Sequence, residues 1–116
     1  KISGTPSAVI DLAEDREQFS DFVIKNGLKQ PENGLARKKE EAAPIANKLG
    51  YPVLVRPSFV LGGRGMKIVY SEEELNQYMA LAISVSHEAP VLIDKFLDQA
   101  IELDVDTICD KKDVYI

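Results

Sequence analysis

The chain has 116 residues, of which 45% are apolar and 28% charged, with a formal net charge of -5. These values fit one domain, or a piece of one, with enough apolar material for a modest core. They argue against nucleic acid as the main partner, because the cations form no stripe with interleaved aromatics, and no apolar run nears the ~20 residues of a membrane helix.

Lys1–Pro6 reads as the tail of an earlier element. Ser7 is expected to cap a short helix through Ala13. Asp15, with Gln18 in the capping-box position, starts another helix, whose Phe19, Phe22 and Val23 line one face until Asn26-Gly27 stops it. Lys29–Ala36 holds Pro31, Asn33 and Gly34 and reads as a connector. Glu40–Leu49 is the next helix, with Ala42, Ile45, Ala46 and Leu49 at helical spacing. Pro44 is compatible with it in the first turn, so the helix is expected to begin only shortly before Pro44. Gly50 caps the end, and Tyr51-Pro52 turns into a strand, Val53-Leu54-Val55, closed by Arg56.

The glycine-rich run Gly62-Gly63-Arg64-Gly65 leads into a second strand, Met66–Tyr70. Ser71 caps a further helix, with Glu72–Glu74 near its positive end and Leu75, Tyr78, Met79, Ala82 and Ile83 as its buried stripe. His87–Pro90 is a turn and Val91–Ile93 a buried strand. Ile101–Ile108 alternates apolar with acidic residues and reads as a strand with Glu102, Asp104 and Asp106 on one face. Asp110–Asp113 is a turn, and Val114–Ile116 opens another strand. Helices followed by β-β-α-β-β-β give an α+β fold with a largely antiparallel sheet packed by helices.

Glycines let backbone N–H groups approach phosphate oxygens, and Arg56 adds a fixed cationic fork. The glycine run is neither a Walker A loop, lacking Gly-Lys-Ser/Thr, nor a Rossmann fingerprint, since a strand follows it. The pattern alone leaves phosphate binding and a plain β-turn both open. Arg56, after three apolar residues, points to a ligand or to a carboxylate partner. Arg16 reads first as a charge on a solvated helix face. Lys95 and Leu97 stand where a strand gives way to a loop, which suits an adenine edge or an ordinary strand end. The acidic face at Glu102 suits ribose hydroxyls, a magnesium ion or plain solvent. His87 is expected to be exposed. Cys109, the single cysteine, is expected in the core; it rules out an internal disulfide and fits a reducing, cytoplasmic setting. No signal-peptide pattern is visible, and the absent initiator Met and abrupt ends read as an excised fragment.

Tyr51–Val69, YPVLVRPSFVLGGRGMKIV, resembles the carbamoyl-phosphate synthase large-chain family of ATP-grasp enzymes. Ile10–Phe19 is similar to the helix ahead of that family's ATP-grasp domain, and Pro90–Phe96 and Glu102–Cys109 to its later strands. The resemblance covers essentially the whole chain. It implies a linker and helical lead-in over residues 1–36 and the ATP-grasp small, lid-like subdomain over 37–116. Val60-Leu61-Gly62-Gly63-Arg64 resembles the C-terminal, carbamate-phosphorylating half rather than the bicarbonate-phosphorylating half. The implied parent enzyme makes carbamoyl phosphate from two ATP, bicarbonate and glutamine-derived ammonia, for arginine and pyrimidine biosynthesis. It works with a glutamine amidotransferase small chain.

Carried over by position, the family's ATP contacts fall on Arg16, Arg56, Gly62, Gly63, Lys95, Leu97 and Glu102. Arg56 and the glycines would hold phosphates with help from Arg16, Lys95 and Leu97 would frame adenine through the connector, and Glu102 would take the ribose. The Mg2+ or Mn2+ ligands lie downstream in the family, so no metal or catalytic residue is expected here and the fragment alone is expected to be inactive. In-line phosphoryl transfer needs positioning and charge neutralisation rather than a protein nucleophile. Relatives often carry His where Lys95 stands, which a backbone contact would tolerate. Arg56-Pro57-Ser58 favours this family over biotin carboxylase, a rival ATP-grasp ligase, which has Lys after the strand. A non-catalytic interaction module is the rival from another class.

Overall fold

The computed structural model describes residues 4–58, 65–85, 90–110 and 112–116, without the side chains of 83–85. Two helices lead: α1, Ser7–Glu14, and α2, Arg16–Lys25. The Asp15 carboxylate accepts from the Gln18 backbone N–H at 2.9 Å, so the predicted cap of α2 is present. Ser7 is not a cap: Pro6 takes that position, with no side-chain cap hydrogen bond, and Ser7 opens the first turn. Val23 is the buried residue of α2; Phe19 and Phe22 are 41% and 43% exposed and stack on each other at 6.4 Å.

The stretch read as a connector contains a strand, β1, Asn33–Ala36. Gly34 misled by its type. A Cβ there would stand 2.7 Å from Ile45 Cγ2, so this glycine serves close packing rather than a turn. The next helix, α3, runs Lys39–Leu49 with Pro44 in its interior, not in its first turn. Pro44 is exposed and supplies no N–H to the preceding turn. The rest of α3 is held by Ala42 and Ala46, both buried, and by Glu41, whose carboxylate accepts from the Arg37 and Lys38 N–H groups. Gly50, at φ +75°, ends it as expected.

Strands β2, Val53–Pro57, and β3, Lys67–Val69, precede α4, Glu72–Val85. Ser71 Oγ accepts from the Glu74 N–H at 3.3 Å. Then β4, Val91–Lys95, completes a sheet of order β1-β4-β2-β3, antiparallel at every pairing. Val53, Val55, Val69, Val91 and Ile93 turn to one face and pack under Ala42 and Ala46 of α3 and Leu75 and Met79 of α4. The alternation leaves Leu54, Arg56, Leu92 and Asp94 on the other face.

The alternating segment after β4 does not form the long strand expected. Residues 101–107 are irregular and exposed, and only β5, Ile108–Cys109, pairs, with β6, Val114–Tyr115. Alternation marks a half-buried strand only where a surface covers one side, and Ile101 and Leu103 are 89% and 81% exposed. Cys109 is exposed rather than buried in a core. No described helix is long and apolar enough to cross a membrane.

Candidate nucleotide site

The free face of the sheet floors a cavity of about 700 Å³, walled by α2 and by the chain after β4. Five of the predicted site residues line it: Arg16, Arg56, Lys95, Leu97 and Glu102. Gly62, Gly63 and His87 lie outside the described residues. Each of the five arrives on a different local device. Arg16 is the first residue of α2, directly after its cap. Arg56 stands in β2 opposite Leu92 of β4. Lys95 ends β4, Leu97 follows in the turn, and Glu102 lies in the irregular segment beyond.

Lys95 meets the cavity differently from an ordinary cation. Its ammonium donates to the Gly50 carbonyl at 2.7 Å, tying β4 to the end of α3. The Lys95 N–H donates to the Glu32 carbonyl at 2.8 Å, and the Phe96 N–H to that of Pro52 at 3.3 Å. The connector is therefore fixed from both sides, and the Lys95 ammonium is engaged by the Gly50 carbonyl.

Arg56 has the carboxylate partner that its position suggested. Its Nε lies 3.0 Å from Asp94 Oδ2, off the axis a hydrogen bond needs, so charge holds the pair. Asp94 itself escaped the sequence reading, which closed the strand at Ile93. A charge directly after Val91-Leu92-Ile93 was the available signal, the same one that singled out Arg56. Asp94 is 8% exposed. Burial pushes its carboxyl above the usual range, partly offset by the charge and hydrogen-bonding capacity of Arg56 and, more weakly, by the charge of Arg16.

Leu54, Leu92, Phe19 and Ile101 supply the apolar part of the lining. The Gln30 side-chain amide donates to Ser20 Oγ at 2.7 Å at the rim. Apolar walls with three placed cations and two carboxylates, Asp94 and Glu102, suit a flat heterocycle carrying an anionic tail. Among the described residues no group of three or more His, Cys, Asp or Glu side chains is placed to hold a metal ion.

A helix-backed antiparallel sheet with this cavity on its free face has the build of an ATP-grasp protein. The biotin carboxylase–beta-gamma-ATP complex from Campylobacter jejuni superposes with a TM-score of 0.63 at 22% identity, over 73% of this chain and 20% of that one. A D-alanine–D-alanine ligase from Helicobacter pylori gives 0.64 at 23% identity, over 89% and 32%. At such identities the likeness is one of fold. In sequence, residues 15–116 match the family described as carbamoyl-phosphate synthase L chain, ATP binding domain. The chain belongs to that family. It is 65% identical, over all 116 residues, to the carbamoyl phosphate synthase large chain, C-terminal section, of Aquifex aeolicus, and spans 22% of that relative's length.

Proposed function

We propose that this segment binds ATP in the cavity between α2 and the free sheet face, as part of a carbamoyl phosphate synthase large chain. The observation that carries the reading is the meeting of Arg16, Arg56, Lys95, Leu97 and Glu102 around one cavity, although they span most of the sequence. Arg56 and Arg16 take the phosphates, together with Gly62 and Gly63. The main chain at Lys95 and Leu97 frames the adenine, and Glu102 accepts from the ribose hydroxyls. A backbone role at Lys95 is supported by the Nζ–Gly50 bond, which engages its charge elsewhere.

Within the whole enzyme the reaction is carbamoyl phosphate formation from bicarbonate, glutamine-derived ammonia and two ATP, with a glutamine amidotransferase small chain as partner and the cytoplasm as setting. Identity of 65% to a C-terminal section supports the carbamate-phosphorylating half. The lead-in 1–36 and the small subdomain 37–116 act together, since β1 of the first pairs with β4 of the second. Mg2+ or Mn2+ is held by residues outside this segment. Alone, the 116 residues bind ATP weakly and make no carbamoyl phosphate.

Titration of the 15N-labelled chain with ATP tests the binding site. Amide shifts at Arg16, Arg56, Leu97 and Glu102, with Asn76, Gln77 and Ala80 of α4 unmoved, are the expected result. Shifts centred on α4, or none at an ATP concentration of about 5 mM, well above the ~1 mM dissociation constant of a weak site, overturn it.

A further inference from the structure

Asp94 is the one acidic side chain among the four residues that β2 and β4 turn to the cavity face. Arg56 pairs in register with Leu92, and Asp94 with Leu54, so the two charges stand diagonally across the strands on the same face. The resulting ion pair is lopsided. The Asp94 side chain is 11% exposed and that of Arg56 29%. The carboxylate is shut in while the guanidinium opens on the cavity. A pair serving packing alone is better replaced by apolar side chains. A buried anchor under an open fork is instead the arrangement that orients an arginine. Guanidinium carries five donors in a rigid plane. Asp94 lies against the Nε edge at 3.0 Å, held by charge rather than an aligned hydrogen bond, and among the described residues no hydrogen bond engages the two Nη groups. An arginine held in this way has less rotamer freedom left to lose when it grips an anion.

We propose that Asp94 is a positioning residue of the nucleotide site, its carboxylate holding the Arg56 guanidinium by the Nε edge so that the Nη groups serve the ATP phosphates. The inference rests on Arg56 being a phosphate contact, as proposed above. It assigns a function to a side chain that touches no ligand itself.

The test uses a full-length carbamoyl phosphate synthase large chain carrying these residues. ATP KM and kcat are measured for the parent, Arg56→Ala, Asp94→Asn, Asp94→Glu and the Arg56→Ala/Asp94→Asn double variant. Arg56→Ala is expected to raise the ATP KM about tenfold or more, the loss of one charge-assisted contact. Asp94→Asn is expected to raise it by about as much with kcat little changed, and to add less than about twofold in the Arg56→Ala background. Asp94→Glu keeps the charge but displaces it, raises KM likewise, and carries the test if Asp94→Asn does not fold. A merely structural Asp94 would leave the KM alone, whatever its variants do to the thermal midpoint.

If Arg56→Ala raises the KM and the Asp94 variants do not, or if the two effects multiply, the positioning role is overturned and the ATP reading stands. If Arg56→Ala leaves the KM unchanged, both fall.

Discussion

Asp94 shows how one residue can stabilise a site and burden a fold. Its pKa is raised above the ordinary 3.8, with burial outweighing the help from Arg56 and Arg16. For a carboxyl whose folded pKa is raised, the stabilising contribution is fully present below the unfolded pKa. It is lost as pH rises through the folded value. At neutral pH the ionised Asp94 therefore works against folding. Asp94→Asn, near-isosteric and uncharged, is expected to raise the urea midpoint of this chain at pH 7. The advantage should shrink as pH falls towards 3.8 and below, where the parent carboxyl is itself protonated. Asp15 and Asp110 behave in the opposite sense. Hydrogen bonds from Gln18, and from Asp113 and Lys112, lower their pKa values, so their contributions fade as pH falls. Both are present in parent and variant and cancel in the difference. Equal midpoints at pH 7 would mean that Arg56 compensates the buried charge in full. A gain in stability joined to a loss in ATP affinity is the trade expected of a side chain kept for function.

At the scale of elements, β1 and α3 are held by the closeness of Gly34 to Ile45. The Cβ of an alanine at position 34 would meet Ile45 Cγ2 at 2.7 Å, an atom fixed by its β-branch to the helix. Gly34→Ala is therefore expected to destabilise by about 1–3 kcal/mol, the usual cost of overpacking, measured by urea denaturation. Ile45→Ala combined with it should return part of that loss, because the clashing methyl is gone; full additivity of the two losses would show that the contact is not the cause. The same contact explains why β1 was invisible in the sequence. Asn33 and Gly34 are poor strand residues, and only the partner helix gives the glycine its purpose. Elements with their own signals were legible: Asp15 before α2, Gly50 after α3, Ser71 before α4, and the apolar runs of β2 and β4. Part of the site was legible by the same logic, since Arg56 is a charge where an apolar residue was due. Arg16 carries no such mark, and Glu102 stands out only as one of three acidic residues in an alternating run. Their residue types are ordinary on an exposed helix and a polar segment, so family resemblance alone singled out Arg16 and chose Glu102 among its acidic neighbours. Ile101–Ile108 departs from the expected strand for the converse reason: its alternation is real, but among the described residues no surface buries its apolar side, and only Ile108 enters a strand.

At the scale of the whole molecule, the chain is extended rather than compact. The radius of gyration is 16.3 Å, with extents of 50 × 34 × 25 Å, against about 13.4 Å for a compact domain of this length. The excess includes β5 and β6, which pair with each other and lie outside the cluster built on β2 and β4. Ile108, Val114 and Tyr115 are 73%, 67% and 67% exposed, so this two-stranded sheet has little apolar burial to hold it. An isolated hairpin of that kind is marginal in water. Val53, Val55 and Ile93 are fully buried between sheet and helices. Hydrogen exchange on the 116-residue chain should therefore be strongly uneven. The amides of Ile108, Cys109, Val114 and Tyr115 are expected to exchange at close to the rate of unstructured peptide. Those of Val53, Val55 and Ile93 should exchange only through global unfolding, slower by about 10³-fold or more for a domain of ordinary stability. Arg56 and Asp94 stand in the strands expected to be protected, whereas Glu102 stands in the irregular exposed segment, so the Arg56 contact of the proposed site is preformed and the Glu102 contact is not. Saturating ATP should accordingly slow exchange more around Glu102 than at Arg56. Equal protection of both ends without ATP would show instead that the cavity is rigid throughout.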